Sequence, residues 1–296
     1  MKTVLLAFLL FASSSAAFAQ EDYSKVEIKA TKVTGNIYML EGSGGNIGVS
    51  VGPDGILIVD DQFAPLAEKI RAALKTLGEG KLKFILNTHW HGDHTGGNAP
   101  LGRDAPIIAH DNVRKRLSTE QRLEFFKMTV PASPKEALPV ITFDQSLSVH
   151  FNGEEIKVIH FPHGHTDGDS VIFFTTSNVV HLGDDFFSGR FPFVDLDSGG
   201  SVQGLAKNIG EIIPKIPAGA KLIPGHGPLA TIDDLKTYHR MLQETTQFVQ
   251  KQMSKKKTLE QIKKEGLPAE WKAWGEGFVK TDQWIDLVYA SLSKKN

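Results

Sequence analysis

The 296-residue sequence contains no cysteine, no apolar run of about twenty residues and no excess of either charge. Without cysteine, disulfides and thiolate metal ligands are both excluded, so any metal must be held by nitrogen or oxygen. Without a long apolar run, nothing in the chain reads as a membrane anchor. Thirty-three Lys and Arg nearly cancel 34 Asp and Glu, with no basic stripe and no interleaved aromatics, so neither nucleic acid nor an anionic membrane surface is indicated as a partner. No internal repeat or low-complexity segment interrupts the chain, and Lys255-Lys256-Lys257 reads as a solvated helix end.

The chain does begin with a recognisable export signal over residues 1–19. Lys2 provides the charged start, Val4 to Phe11 the apolar stretch, and Ala17-Phe18-Ala19 a small-x-small cleavage site ahead of Gln20. The expected mature protein starts at Gln20 and is exported, to the periplasm or beyond the cell. An oxidising compartment agrees with the missing thiols.

From Lys25 to Asp60 short apolar strands alternate with glycine-rich turns, at Gly35, Gly42 to Gly45 and Gly52-Pro53-Asp54-Gly55, as in a meander. Leu66, Ile70, Ala73, Leu74 and Leu77 then recur with a helical period over residues 64–77, and Gly78 ends it. A strand is expected over 82–86, a short one at 107–108, and a charged helix over 111–127 capped by Asp111. Pro131, Pro134 and Pro139 mark a loop. The plan recurs with strands near 140–143, 146–151, 154–161, 170–175 and 178–181, a helix over 202–213 and a last strand at 221–223. Beyond Asp233 the pattern is helical, with an amphipathic stretch from Leu235 to Val249 that suits covering the parent sheet. Meander, helix and strand, twice over, predict an α/β protein with two face-to-face sheets and helices outside, a four-layer α/β/β/α sandwich. One domain over 25–230 and a helical C-terminal extension over 231–296, packed on it, are expected; monomer and homodimer both remain open.

His89-Trp90-His91-Gly92-Asp93-His94 places four metal-ligand side chains in six residues, directly after the apolar run Phe84-Ile85-Leu86. Three imidazoles and a carboxylate this close cannot all point at one ion, so they are expected to divide between two adjacent cations. Such ligands suit zinc first, with manganese and iron also compatible.

Thr88 to His94 resembles the signature of the metallo-β-lactamase superfamily, and the other motifs follow in order. Asp60 closes Ile56-Leu57-Ile58-Val59, His165 stands in Gly164-His165-Thr166-Asp167-Gly168, Asp184 in Leu182-Gly183-Asp184, and His226 in Pro224-Gly225-His226-Gly227. The resemblance covers roughly Lys25 to Ala230. It implies that His89, His91 and His165 hold one metal, that Asp93, His94 and His226 hold the other, and that Asp184 bridges them. Asp60 is better placed to orient a ligand histidine than to ligate.

The function so implied is hydrolysis of a small molecule by a hydroxide held between two divalent metals, with Asp93 as the residue that contacts and relays its proton. An aspartate at 184 resembles glyoxalase-II-type thioesterases, lactonases and phosphodiesterases, and points to esters, lactones or thioesters. Export and the segment from His181 to Gly204 resemble secreted lactamase-like members, so weak β-lactam hydrolysis or a β-lactamase proper is the alternative. A mononuclear-iron persulfide dioxygenase and a non-catalytic metal-binding protein are the further ones. Trp90, Phe186, Phe187, Phe191 and Phe193 are weighed as an apolar lip against a place in the core, and Gly44-Gly45-Asn46 as a loop free to move. Arg190 and Lys207 are candidates, by proximity alone, for holding a substrate carboxylate. Among the remaining histidines, His181 is expected to support the site, His160 and His163 have only nearness in their favour, and His110, His150 and His239 are read as surface or capping residues.

Overall fold

The computed structural model describes residues 22–294, so the export signal at 1–19 and Gln20 lie outside the described residues. In chain order it comprises β1 (Lys29–Thr34), β2 (Ile37–Glu41), β3 (Ile47–Gly52), β4 (Gly55–Val59), α1 (Ala67–Leu77), β5 (Leu82–Leu86), α2 (Gly92–Thr95), α3 (Asn98–Leu101), β6 (Ile107–His110) and α4 (Asp111–Leu117). There follow β7 (Gln121–Leu123), β8 (Met128–Val130), β9 (Ile141–Phe143), β10 (Ser146–Phe151), β11 (Glu154–His160), β12 (Ser170–Phe174) and β13 (Val179–His181). The chain continues through α5 (Val202–Ile212), β14 (Lys221–Ile223), α6 (Ile232–Ser254), α7 (Leu259–Glu265) and α8 (Thr281–Ser293).

One sheet runs β1-β2-β3-β4-β5-β6-β9 and the other β10-β11-β12-β13-β14. Each begins as an antiparallel meander and ends in parallel pairs, β4 with β5, β5 with β6 and β6 with β9 in the first, β13 with β14 in the second. The period of two explains why the inner strands are buried throughout. On β4, Leu57 and Val59 face the second sheet, meeting Ile172, Phe174 and Ile223, whereas Ile56 and Ile58 face out onto Leu66, Ile70 and Leu74 of the first helical layer. On β12, Ile172 and Phe174 face in, while Val171 and Phe173 join Leu205 and Ile209 of α5. The result is the expected four-layer α/β/β/α sandwich.

The segment expected as a helix over 111–127 is a helix only to Leu117; β7 and β8 then form an antiparallel hairpin around a 3₁₀ turn at Glu124–Phe126. The Ser118 and Thr119 hydroxyls both donate to the carbonyl of Lys115, competing with the helix at its end. Tertiary packing decides the rest: Leu123 is buried with Trp90, Val113 and Leu117. The cap is His110, whose Nδ1 accepts the Asn112 amide at 3.2 Å, not Asp111.

The C-terminal helices pack on the outer face of the second sheet. Leu235, Tyr238 and Leu242 of α6 and Trp284, Ile285 and Val288 of α8 share one apolar cluster with α5 and with Val180 and Leu222 of the sheet. Trp284 is fully buried, stacks on Phe191 at 5.5 Å and donates its indole N–H to Thr245 Oγ1 at 3.0 Å. Trp284→Ala is therefore expected to lower the unfolding free energy by about 3–5 kcal/mol. Denaturant titration checks this, and a change below about 1 kcal/mol would show that α8 does not share the core.

Candidate metal centre

All the predicted ligands lie where strands end at one edge of the two sheets. The parallel register that pairs Val59 with Leu86 lets the Asp60 amide donate to Leu86 at 2.7 Å, placing Asp60 beside the histidine motif that follows β5. The register pairing His181 with Ile223 does the same for Asp184 and His226, and Gly225 donates to the Gly183 carbonyl at 2.7 Å. His165 stands on the loop between β11 and β12. The sheets are joined at this edge by Ser170 N–H donating to Thr88 O at 2.9 Å and Asn46 N–H to Gly225 O at 2.8 Å.

The seven side chains form two groups, His89, His91, His165 and Asp184 in one and Asp93, His94 and His226 in the other, with ligand atoms within 4.8 Å of one another in each. Asp184 reaches both. Its Oδ2 lies 3.8 Å from His89 Nε2, 3.5 Å from His165 Nε2 and 3.4 Å from His226 Nε2, and its Oδ1 lies 3.1 Å from His94 Nε2. Asp93 Oδ2 lies 3.2 Å from His226 Nε2 and 3.7 Å from His94 Nε2. Asp93 and His226, with side chains 29% and 22% exposed, face solvent more than the other five and mark the mouth.

Four of the five imidazoles are held from behind by an acceptor. His89 Nδ1 faces Thr88 Oγ1 at 3.0 Å, His91 Nε2 the Asp195 carboxylate at 3.0 Å, His94 Nδ1 the Asp60 carboxylate at 2.8 Å, and His165 Nδ1 the Phe193 carbonyl at 2.8 Å. Each acceptor takes the ring's one proton and so fixes the tautomer, leaving a lone pair on the opposite nitrogen. The inward nitrogens converge, and in the neutral rings of His91 and His165 two lone pairs face each other. His91 Nδ1 and His165 Nε2 are 2.8 Å apart, His94 Nε2 and His226 Nε2 3.3 Å apart, and buried His89 Nε2 has no hydrogen-bond partner. Facing lone pairs repel unless positive charge lies between them, and so this donor set fits cations.

The electrostatics agree. Burial pushes Asp184 up, yet His94, His226, His89 and His165 together hold it well below the ordinary carboxylate range. Burial also pushes Asp93 up, and His94 and His226 bring it down. Burial opposes the charged form of His226, but Asp184 and Asp93 raise it to about 9. His94 is raised well above the usual value against the same opposition from burial, by Asp184, Asp93 and Asp60. Burial dominates at His165, lowered to about 4, and at His89, lowered further by His94. The cluster draws positive charge to its centre.

Glycines admit this crowding. A Cβ on Gly45 would lie 2.1 Å from His94 Cε1, and one on Gly225 2.0 Å from Asp184 Oδ1. The loop read as mobile is instead pinned, since the Asn46 amide group donates to Pro224 O and Gly227 O, both at 2.9 Å, and Gln62 Nε2 donates to Gly45 O at 2.8 Å. Asp60 also accepts the Thr88 amide and hydroxyl, both at 2.8 Å, from a left-handed backbone at φ 66°.

The other candidates separate cleanly. His181 is buried and joins Asn46 O to the Gly183 amide, supporting the loop without touching the seven. His160 stacks on His110 at 3.6 Å, and His163 meets Gly199 O at 3.1 Å. His110 is a capping residue, at the N-terminus of α4, and is buried, while His150 is exposed and His239 half-buried. Asp61 accepts the Gly97 amide at 2.9 Å, and buried Asp185 is outside the seven; neither doublet is on a strand, since Asp60 adopts a left-handed turn after β4 and Asp184 and Asp185 lie on a 3₁₀ turn, so the alternation expected of strands is not what separates them. The five aromatics divide. Trp90 adjoins His91, Phe187 stacks on His226 at 4.9 Å, and Phe193 lies against His91 and His165, whereas Phe186 and Phe191 pack on Tyr238 and Trp284 in the core. Lys207 pairs with Glu211 at 3.7 Å on the surface of α5, and Arg190 lies against Gly277; neither contacts the seven.

Sequence reasoning missed Asp195. It is 1% exposed, fixes His91, and accepts the amides of Asp197 and Ser198 at 3.1 and 3.0 Å. Its own loop is tied to that of His165, since Asp195 N–H donates to His165 O at 2.9 Å. The only cue was its place in the aromatic segment after Asp184. Asp195→Ala is expected to weaken metal affinity about 10- to 100-fold, with Asp195→Asn closer to the parent because an amide oxygen still accepts from His91. Competition against a chelator measures it; equal affinities in all three proteins would remove Asp195 from this role.

A model of the metallo-beta-lactamase superfamily matches residues 30–252. A metallo-beta-lactamase type 2 of Bacteroides fragilis is 24% identical over 149 residues, 50% of this chain and 54% of that protein. A hydroxyacylglutathione hydrolase of Prochlorococcus marinus is 33% identical over 109 residues, 36% of this chain and 37% of that protein. The chain thus spans about half the length of the first and just over a third of the second. The crystal structure of DIM-1 metallo-beta-lactamase superposes with a TM-score of 0.60 at 20% identity, covering 74% of this chain and 99% of that one, a likeness of fold.

Proposed function

Because the chain belongs to the metallo-beta-lactamase superfamily, we propose that it is a metal-dependent hydrolase of small esters, thioesters or lactones that binds two divalent ions, zinc foremost. The observation that carries this reading is the Asp184 carboxylate, whose two oxygens lie within 3.8 Å of four imidazole nitrogens drawn from both ligand groups. Two bound divalent ions would supply Lewis acidity for the substrate oxygen and lower the pKa of water from about 16 to about 7.

The protein's own residues do the rest. His89, His91 and His165 hold one position, Asp93, His94 and His226 the other, and Asp184 faces both. Asp60, Asp195, Thr88 and the Phe193 carbonyl orient the imidazoles from behind. Asp93, the most exposed member at 29%, is placed to accept a proton from the attacking water and return it to the leaving group. The similarity to a hydroxyacylglutathione hydrolase favours thioesters, and that to a lactamase supports β-lactams as a minor activity. The leader-like start and the absence of thiols support an exported setting.

Zinc reconstitution is expected to give two metals per chain by elemental analysis, and chelation to abolish hydrolysis. Asp184→Asn is expected to lose at least one metal and about 100-fold or more in kcat/KM, since an amide cannot bridge as an anion. A metal-replete protein inert towards esters, thioesters, lactones and a chromogenic β-lactam would overturn the hydrolase reading, and one tightly held iron with oxygen uptake would replace it with a dioxygenase.

A further inference from the structure

A row of aromatic rings leads outward from the candidate ligands. Phe193 lies 5.7 Å from the His91 ring and 5.8 Å from the His165 ring. Phe125 and Phe126, on the 3₁₀ turn at the tip of the β7–β8 hairpin, stand 5.0 and 4.8 Å from Phe193. Phe126 then meets Phe278 at 5.8 Å, and Phe278 is 65% exposed. Three separate stretches, the loop after Asp184, the hairpin and the segment just before α8, therefore build one run of ring contacts from the candidate ligand imidazoles to the surface, with Phe193 7% exposed at its inner end and Phe125 and Phe126 half-buried. Met128, on the same hairpin, is 44% exposed.

The polar surroundings carry the complementary message. Among the described residues, the ion pairs made by the seven are with one another, Asp60 and Asp195 and none comes from a Lys or Arg; Lys207 pairs with Glu211, and Arg190 lies against Gly277, beside Phe278 at the outer end of the row rather than at the ligands. A site meant for a substrate anchored by its own carboxylate would be expected to hold a cation beside the reacting group. Here, fixed aromatic surface occupies the flank instead, and water leaves that surface when an apolar group covers it.

We propose that this aromatic row binds the apolar acyl group of the substrate, so that the preferred substrates are uncharged esters, thioesters or lactones with a medium-length hydrocarbon chain. The proposal rests on the hydrolase reading and names its substrate class. The C-terminal extension then takes part in recognition, through Phe278, besides covering the sheet.

The test is an acyl series from acetyl to octanoyl, as p-nitrophenyl esters, with the zinc-loaded protein. kcat/KM is expected to rise about two- to fourfold per methylene as each leaves water. Phe278→Ala, a change at an exposed position that does not threaten folding, is expected to lower the octanoyl-to-acetyl ratio of kcat/KM about fivefold. A flat series, or a ratio unmoved by Phe278→Ala, overturns the proposal while leaving the hydrolase reading intact. If no ester is cleaved, calorimetric binding of alkyl hydroxamates to the same protein decides the matter. Octanohydroxamate binding at least tenfold tighter than acetohydroxamate, with the gap reduced by Phe278→Ala, supports the aromatic row although the hydrolase reading fails; equal affinities overturn the row as well.

Discussion

The constraint on which this molecule turns is the set of lone pairs aimed at one another across the edge of the sandwich. A carboxylate, a hydroxyl or a carbonyl behind each of four imidazoles accepts one ring N–H, so a neutral ring such as that of His165 has nothing left to donate inward. Nitrogens 2.8 Å apart in that state repel, and the fold must supply the force that keeps them there. That force is ordinary: parallel strand register, two inter-sheet hydrogen bonds at the edge and a buried core on three levels. Stability is held in the sandwich, while at the centre the carboxylates of Asp184 and Asp93 are offset by the imidazoles of His94 and His226.

The same logic explains the backbone around the centre. Gly45 and Gly225 let main chain approach a ligand ring and a ligand carboxylate more closely than any side chain would permit. Asp60 adopts a left-handed backbone that turns its carboxylate onto both Thr88 and His94. These local costs are borne by surroundings that over-determine them, for Asp60 is fully buried and accepts three donors.

The sandwich was legible because inward and outward residues alternate on strands such as β4 and β12, and because helix periods such as Leu66, Ile70 and Leu74 are undisturbed by other demands. The centre was legible because four ligands in six residues after a strand leave few other meanings, and the remaining motifs stand at strand ends in the expected order. Other features lay beyond reach for identifiable reasons. The 121–130 hairpin carries a charged, helix-like pattern that packing against Trp90 overrides. Asp195 acts through a contact 104 positions distant, which no local pattern encodes. The aromatic segment after Asp184 mixes core and site-flanking residues at irregular spacing within residues 186–193, and only the neighbours of Phe187 and Phe193 tell them from Phe186 and Phe191.

The C-terminal extension places Trp284 in the common core, six residues from Phe278, which stands exposed at the end of the aromatic row. Any role of Phe278 in selectivity, as proposed, is therefore covalently close to a residue that holds the core. A change at position 278 can alter the surface end of the aromatic row without touching Trp284, whereas a change in the helix that follows disturbs both.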